Sequence, residues 1–226
     1  MTIDLGEWYR AARERIIAVA SELDEEGGAT AVAATPAWDV HDVVAHLSGI
    51  VDDATHGRME GATTDPWTAA QVERGRGRTI PEMLDGWAEQ APLMESFLSS
   101  PAGAGSWRAV LDIHTHECDL LTALGRPIAV PTDVASWVAG MLRASFDESL
   151  VATGLPAVTV EVDDVELFRS RLGRRTEAEV RGHGWSSDPT PYLDTWFVFG
   201  RAETSLRERA GTVSEGRAPD DPAAHP

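Results

Sequence analysis

Two short stretches of the sequence place histidine and carboxylate side chains at spacings that suit a metal ion. In LDIHTHECDLLTALGRP, residues 111–127, Asp112 and His116 are four positions apart. On a helix, where each residue advances by about 100°, they therefore share one face. The second stretch, TPAWDVHDVVAHL at 35–47, carries His46 at the border of an apolar helical arc. If His46 faces Asp112 and His116 across a bundle core, the three side chains form a metal site with open coordination positions.

Structural explanations stay open for the same side chains. A histidine at the border of a helix is more often packed or exposed than bound to a metal, and an Asp/His pair four residues apart also arises by chance. His114 lies about 160° from His116 around the helix, so we expect it to be exposed. Asp119 can accept a hydrogen bond from a ligand histidine or tether a neighbouring helix, and we favour the tether. Cys118 points away from the Asp112 face, which favours a small buried thiol.

Two further carboxylates, Asp42 and Asp53, flank His46 on its helix. They either add negative charge beside the metal or belong to a solvated helix face, and the sequence allows both. The histidines at positions 41, 56, 183 and 225 have no carboxylate partner at a spacing that suits a metal.

Four amphipathic helices are predicted to position these residues, because apolar side chains recur at three- and four-residue steps. Their predicted limits are Leu5 to Leu23, Asp39 to about Gly57, Pro81 to Leu98, and Ser106 to Gly125. Gly27 and Gly28 are expected to end the first helix, and Asp39 and Ser106 to cap the second and fourth. Residues 57–81 are polar and rich in glycine, which predicts a long loop with room for one helical turn that could lie over the site.

In the remaining sequence, the spacing of the apolar residues changes. A fifth helix is predicted over 132–152 and would bridge two domains. Apolar residues then alternate with polar ones at 158–162 and again at 176–180, which is typical of strands. A short helix follows at 192–199, so this part reads as a small α+β unit. The Pro-, Ala- and Asp-rich tail at 211–226 is predicted to be disordered.

Composition restricts the possible partners and the compartment. The formal net charge of −18 argues against nucleic acid and anionic membranes, which both need concentrated positive charge. With Cys118 as its single cysteine, the chain can form no internal disulfide and no paired-cysteine zinc or redox motif. Its N-terminus has early acidic residues and no continuous apolar core, so neither a signal peptide nor a membrane span is predicted. A cytoplasmic location fits these features.

The order of the motifs resembles a known family. The pattern WDVHDVVAHL, then a helix with D-x-x-x-H-x-x-D-L-x-x-A-x-G-R-P, then a small α+β unit ending in FGR is similar to the mycothiol-dependent maleylpyruvate isomerase family. The resemblance implies a mainly α protein with three parts. Residues 1–153 would form a DinB-like metal-binding four-helix bundle, residues 154–210 a small α+β domain similar to sterol-carrier-type folds, and 211–226 the tail.

The resemblance also assigns roles to residues. It makes His46, Asp112 and His116 the metal ligands, with Asp112 standing where the family usually has Glu. Asp is one methylene shorter, so the helices must lie closer together or a water must bridge the gap. Arg201 in FGR would bind a substrate carboxylate, although an arginine at a helix end that satisfies carbonyl groups explains it equally well. Two imidazoles and one carboxylate suit Zn²⁺ best, with Fe²⁺, Ni²⁺ and Mn²⁺ also compatible.

The activity implied by the resemblance is a metal- and mycothiol-dependent isomerisation. The thiolate adds to a cis double bond of an unsaturated acid, the resulting single bond rotates, and elimination gives the trans product. Two alternatives stay open from the residues alone. If no elimination follows, the same first step makes a mycothiol S-transferase that acts on an electrophile. If the change to Asp112 marks lost chemistry, the protein is a non-catalytic module that binds a metal or a small ligand. The oligomeric state is not indicated.

Overall fold

The computed structural model describes residues 3–206 and shows a mainly helical protein with a small α+β part. The N-terminal half contains six helices: α1 (Leu5–Ala20), α2 (Glu25–Gly28), α3 (Val40–Thr55), α4 (Asp65–Gly75), α5 (Ile80–Leu98) and α6 (Trp107–Ala123). The C-terminal half contains α7 (Thr132–Thr153), β1 (Val160–Glu161), α8 (Asp164–Arg171), α9 (Glu177–Arg181), β2 (Gly184–Trp185) and α10 (Leu193–Trp196). The predicted fold class is confirmed. The predicted tail at 211–226 and residues 207–210 of the predicted second domain lie outside the described residues.

Helices α1, α3, α5 and α6 form a four-helix bundle. α1 packs against α5 and α6, and α3 packs against the same two helices, so α3 and α6 are neighbours across one seam. The apolar stripes predicted from the sequence fill the centre of the bundle, with Ile16, Val43, Leu47, Trp87 and Ile113 among the fully buried side chains. Burial of this apolar surface is what holds the four helices together.

Local signals in the sequence set where most of these helices begin. The Asp39 side chain accepts a hydrogen bond from the Asp42 backbone N–H, which confirms the predicted cap of α3. α5 begins with Pro81 in its first turn and with a capping box between Thr79 and Glu82. Ser106 holds the N-cap position of α6 but makes no capping hydrogen bond through its side chain.

The predicted end of the first helix was wrong. α1 ends at Ala20, and Gly27 and Gly28 belong to the one-turn helix α2, whose N-terminus is capped by the Asp24 carboxylate. The capping hydrogen bond to Gly27 N offsets the low helix propensity of the two glycines over this single turn.

Helix α4, with 11 residues, lies within the segment 57–81, where the sequence predicted a long loop with room for only one helical turn. The helix was not predicted because this sequence is polar and rich in glycine. It has Pro66 in its first turn and buries three residues, Gln71, Val72 and Gly75. α4 lies directly on α3 because two glycines remove side chains from the contact. A Cβ on Gly49 of α3 would lie 2.8 Å from the Gln71 Cβ, and one on Gly75 would overlap the Ala45 side chain.

The C-terminal half packs around a second core. α7 contacts α8 and α10, and β1 pairs with β2 in an antiparallel ribbon that places Val160 opposite Trp185. Val160 belongs to the strand predicted at 158–162, but the strand predicted at 176–180 is wrong. Thr176 and Glu179 form a capping box there, which starts α9 in spite of the alternating apolar pattern. The boundary at residue 153 and the likeness to sterol-carrier folds stay predictions.

Two tryptophans join the two cores. The rings of Trp8 on α1 and Trp137 on α7 have centroids 5.3 Å apart, and both pack against the apolar cluster of each half. Trp8 Nε1 also donates a hydrogen bond to the Asp133 carboxylate at 3.2 Å. From residue 3 to residue 206, none of the helices is both long and apolar enough to span a bilayer.

The close contact between α3 and α4 gives a test of the fold. Gly75→Ala should lower the free energy of unfolding by about 1–3 kcal/mol, because the added methyl group overlaps Ala45 and pushes α4 away from α3. Urea unfolding followed by circular dichroism measures the change. Gly77→Ala is the matched control, since its Cβ meets open space and its effect should stay within about 0.5 kcal/mol. Equal effects of the two variants would contradict the described packing.

Candidate metal centre

Three side chains from two helices converge where α3 packs against α6. His46 Nε2 lies 3.4 Å from Asp112 Oδ2, and His116 Nε2 lies 3.7 Å from Asp112 Oδ1. One ligand atom from each of the three residues falls within 4.8 Å of the others. The structure therefore brings together the three residues that the sequence grouped.

The donor set fits a divalent metal ion. Two ligand atoms that each lie about 2.1 Å from a tetrahedral Zn²⁺ are about 3.4 Å apart, close to the distances seen here. Asp112 Oδ2 is buried and has no hydrogen-bond donor among the described residues, although a buried carboxylate normally has several. Asp112 also reaches both imidazoles without the extra methylene of Glu, so the shorter side chain is accommodated by the closeness of α3 and α6.

The site is open on one side only. The His46 and His116 side chains are 5% and 9% exposed, whereas the Asp112 side chain is 36% exposed. Trp38, just before α3, covers the imidazoles, with its ring centroid 5.2 Å from that of His46 and 5.7 Å from that of His116. A ligand from solvent would therefore approach past Asp112.

Each imidazole has a hydrogen-bond acceptor close to the nitrogen that faces away from the site. His46 Nδ1 lies 2.8 Å from Gln71 Oε1, and His116 Nδ1 lies 3.3 Å from Asp119 Oδ2. For His46, this hydrogen bond keeps the proton at Nδ1 and leaves Nε2 with a lone pair for a metal. His116 Nδ1 makes no hydrogen bond among the described residues, so Asp119 acts on it as a nearby negative charge. Both Nε2 atoms are the ones that face Asp112, as metal ligation requires.

Gln71 is itself fixed by a charge network centred on the buried Asp53. Its Nε2 donates to Asp53 Oδ2 at 2.9 Å, while Arg58 Nε and Arg74 Nη2 donate to Asp53 Oδ1 at 2.7 and 2.6 Å. These bonds orient the amide so that its oxygen faces His46. A solvated role for Asp53 is therefore wrong, since its side chain is buried. Gln71 escaped the sequence analysis because it lies on α4, which was predicted as loop.

Asp119 makes the tether that the sequence analysis favoured. Besides facing His116, it accepts hydrogen bonds from Arg169 Nη1 at 2.9 Å and from Arg174 Nη2 at 2.6 Å. Both arginines belong to the C-terminal half and are buried. The carboxylate therefore tethers α8 and the following turn to α6, and it holds an acceptor beside His116. The sequence offered no signal for Arg169 or Arg174, because they are 50 and 55 residues away from Asp119 along the chain.

The charges in the site perturb its titration. Burial acts to lower the pKa of His46, but the Asp112 carboxylate raises it, and the net pKa lies above the ordinary value. Burial acts to raise the pKa of Asp112, but positive charge on His46, His116 and Arg174 lowers it below the usual range. Protons therefore compete with a metal for His46, while Asp112 keeps its negative charge.

A buried phenol stands close enough for the charge of Asp112 to act on it. Tyr9 on α1 is buried, and its Oη has no hydrogen-bond partner among the described residues. Burial raises the pKa of Tyr9 far above its usual value, and the Asp112 charge acts in the same direction. The phenol therefore stays protonated at every physiological pH.

Residues 9–120 match the family described as Mycothiol maleylpyruvate isomerase N-terminal domain. The chain belongs to this family. The match extends from α1 into α6 and contains His46, Asp112 and His116, whereas the C-terminal half lies beyond it. Neither a curated protein nor a solved structure is similar enough to the chain to count as a match.

The family resemblance predicts that Arg201 binds a carboxylate of the substrate. In the described structure, Arg201 instead contacts residues of the C-terminal half. Its guanidinium donates hydrogen bonds to Glu177 and Asp194 and lies 5.1 Å from the Phe197 ring centroid. These contacts lie within the C-terminal half, and no described contact joins Arg201 to the three candidate ligands. Its catalytic role stays a prediction. Arg174 is the arginine whose charge acts on Asp112.

Three other residues from the sequence analysis have clear positions. His114 was expected to be exposed, but it is only 1% exposed, because α1 covers that face of α6. Its Nδ1 donates to Val110 O, and burial lowers its pKa. Cys118 is buried, as predicted. Asp42 is buried too, and burial raises its pKa, so it does not belong to a solvated face.

The role of Gln71 can be tested through metal affinity. Gln71→Met keeps the length of the side chain but removes the acceptor at His46 Nδ1, so the metal dissociation constant should rise by about 10–100-fold. Competition with a chromophoric zinc chelator measures this constant without any turnover assay. Glu73→Ala, an exposed change on the same helix, should leave the constant unchanged. A wild-type dissociation constant in Gln71→Met would exclude a role for Gln71 in orienting His46.

The ion pairs of Asp119 with Arg169 and Arg174 are expected to contribute to the stability of the folded protein. Asp119→Asn should lower the free energy of unfolding by about 3–5 kcal/mol at pH 7, because two buried guanidinium groups lose their charge partner. Burial acts to raise the pKa of Asp119, but Arg169 and Arg174 hold it far below the usual range. The charge therefore stabilises the folded state above the unfolded pKa of about 4, and this contribution is lost as the pH falls below it.

Urea unfolding at several pH values measures that contribution. The difference between wild type and Asp119→Asn should be constant from about pH 5 to 7 and should shrink below about pH 4. Glu148→Gln, an exposed change on α7, serves as the control and should cost less than about 0.5 kcal/mol. A difference that grows toward acidic pH would contradict the described network.

Proposed function

We propose that the protein is a divalent-metal- and mycothiol-dependent enzyme that isomerises a cis-unsaturated acid to its trans form. The observation that carries the proposal is the convergence of His46 Nε2 and His116 Nε2 on an Asp112 carboxylate with a buried oxygen that no described group hydrogen-bonds. Membership in the maleylpyruvate isomerase family supports the choice of thiol and reaction. The reducing cytoplasm is the proposed location, since a thiol cosubstrate persists there.

Zinc is the metal that suits these ligands best. Two neutral imidazoles and one carboxylate form a site with at least one open position. When bound, the ion would lower the pKa of a coordinated thiol enough to make it a thiolate at neutral pH. The protein's own contribution is to hold His46 with Nε2 directed at the ion, through the hydrogen bond to Gln71. At His116 the contribution is the Asp119 charge, which lies 3.3 Å from Nδ1.

The shape of the site suits a thiol that enters from solvent. Trp38 covers the imidazoles and excludes water from their inner side, which strengthens the electrostatic interactions there. The exposed edge of Asp112 leaves the approach for the thiol and the unsaturated acid. No described cysteine stands in the site, because Cys118 lies on another face of α6, so the nucleophile must come from the cosubstrate.

The reaction needs no net oxidant or reductant. The thiolate adds to one carbon of the cis double bond, and the electron pair of that bond moves toward the conjugated carbonyl. Rotation about the resulting single bond and expulsion of the same thiolate restore the double bond as trans, so the thiol is regenerated. Arg201 is the proposed partner of a substrate carboxylate, and this role requires that the substrate displace Glu177 or Asp194 from its guanidinium.

Metal content and thiol-dependent turnover test the proposal together. After growth with zinc, purified protein should contain about one zinc ion per chain by emission spectrometry. His46→Ala or His116→Ala should remove the zinc. Asp112→Glu should retain at least as much zinc as the wild-type protein, because it restores the family's usual ligand. His56→Ala is the matched control, since that imidazole is exposed and contacts only Thr55 and the Asp52 side and main chain.

Ultraviolet detection of maleylpyruvate conversion then tests the chemistry. Turnover should require mycothiol and should disappear in the two histidine variants. Metal-free wild-type protein would exclude the site. Metal-loaded protein that forms a stable mycothiol adduct without a trans product would replace the isomerase by a transferase, and the absence of any thiol-dependent reaction would leave a binding module.

A further inference from the structure

One arginine in the C-terminal half is buried without a described carboxylate at ion-pair distance. Arg171, the last residue of α8, is only 1% exposed. Its Nη1 donates hydrogen bonds to the backbone oxygens of Thr195, at 2.9 Å, and of Trp196. Its Nε has no acceptor among the described residues. A buried guanidinium normally has its donors satisfied, so this unused N–H indicates an additional binding partner.

The charge of Arg171 is also uncompensated. Arg169, two residues earlier on the same helix, is paired with Asp119 at 2.9 Å. No described carboxylate lies within 4 Å of the Arg171 guanidinium. The carboxylate of Asp147 acts on Arg171 only through its charge, from a greater distance. Burial lowers the pKa of Arg171 to about 10, which still leaves it cationic at neutral pH. Burying an unpaired cation is unfavourable, and an anion beside it would remove that cost.

Arg171 lines a cavity of about 180 Å³ between α7, β1, α8 and α10. The Phe146 and Trp196 rings flank the guanidinium, with their centroids 5.0 and 5.5 Å from its central carbon. Most of the remaining wall is aliphatic, formed by Leu142, Val158, Val160 and Leu167. The cavity thus combines one cationic group with aromatic and aliphatic surface.

The polar groups at the edge of the cavity do not neutralise Arg171. Arg143 is used elsewhere, since it donates hydrogen bonds to Val160 O and Val162 O at 3.2 and 3.0 Å. Asp147 is exposed on α7, so water weakens its charge, which still acts on Arg171 but does not neutralise it. Arg143 is also paired with Asp164 at 3.7 Å. Arg171 is therefore the lining cation without a described carboxylate at ion-pair distance, which favours an anionic ligand over a neutral or cationic one.

We propose that this cavity binds a small organic carboxylate, whose carboxylate group accepts a hydrogen bond from Arg171 and whose apolar part contacts Phe146 and Trp196. The size is sufficient, since an apolar protein cavity of about 150 Å³ admits a benzene molecule. The site shares no residue with the candidate metal centre. The inference is therefore independent of the proposed isomerase activity.

Benzoate is a suitable probe, with benzyl alcohol as a neutral control of the same shape. Both are titrated by calorimetry into full-length protein treated with a chelator, so that metal content cannot influence the result. The affinity for benzoate should exceed that for benzyl alcohol by at least about tenfold, because only the anion makes a charge-assisted hydrogen bond. In two-dimensional NMR, benzoate should shift the Trp196 indole signal. Equal affinities, or no change at Trp196, would overturn the proposal.

Two substitutions of opposite expected sign complete the test. Arg171→Met should weaken benzoate binding at least about tenfold. Asp147→Asn should strengthen it about threefold, because a negative charge beside the cavity is removed. Glu148→Gln, next to Asp147 but not among the lining residues, should leave the affinity unchanged. Asp147→Asn is a surface change, so it tests the proposed carboxylate site even if Arg171→Met does not fold. An unaltered affinity for benzoate in Asp147→Asn would contradict the proposed site.

Discussion

Asp119 keeps a full negative charge inside the protein, and three separate parts of the structure meet at it. Its two oxygens are shared among the guanidinium groups of Arg169 and Arg174 and the Nδ1 side of His116. Removing a carboxylate from water is costly unless cations and donors surround it. That requirement fixes α6 against α8, and it places a negative charge beside one imidazole of the candidate site. The C-terminal half therefore contributes to the surroundings of the candidate metal centre.

The other imidazole is supported in a parallel way from the opposite direction. Gln71 reaches His46 from α4, and Asp53, Arg58 and Arg74 hold the amide in place. The groups beside the two imidazoles depend on α4 and α8, which pack against the four-helix bundle and are not part of it. The bundle supplies the candidate ligands, and α4, packed beside it, supplies the hydrogen bond that leaves His46 Nε2 available.

The sequence predicts the ligands better than it predicts their support. The four bundle helices follow from apolar periodicity, and the grouping of Asp112 with His116 follows from a four-residue step on one of them. α4 could not be predicted in the same way, because its stability comes from a glycine-lined contact with α3 and not from a wide apolar stripe. The helix at Thr176 depends on a capping box that competed with an alternating pattern. The partners of Asp119 depend on contacts between distant segments, which no local pattern reveals.

The unequal exposure of the three candidate ligands has a kinetic meaning. Asp112 stands at the open side, while His46 and His116 lie behind it and beneath Trp38. If the three residues hold an ion as proposed, an arriving ion would meet the carboxylate before either imidazole, and a departing ion would pass it last. Substitutions at Asp112 would then change both the association rate and the dissociation rate of the ion. Substitutions at Gln71, on the Nδ1 side of His46, would change mainly the dissociation rate.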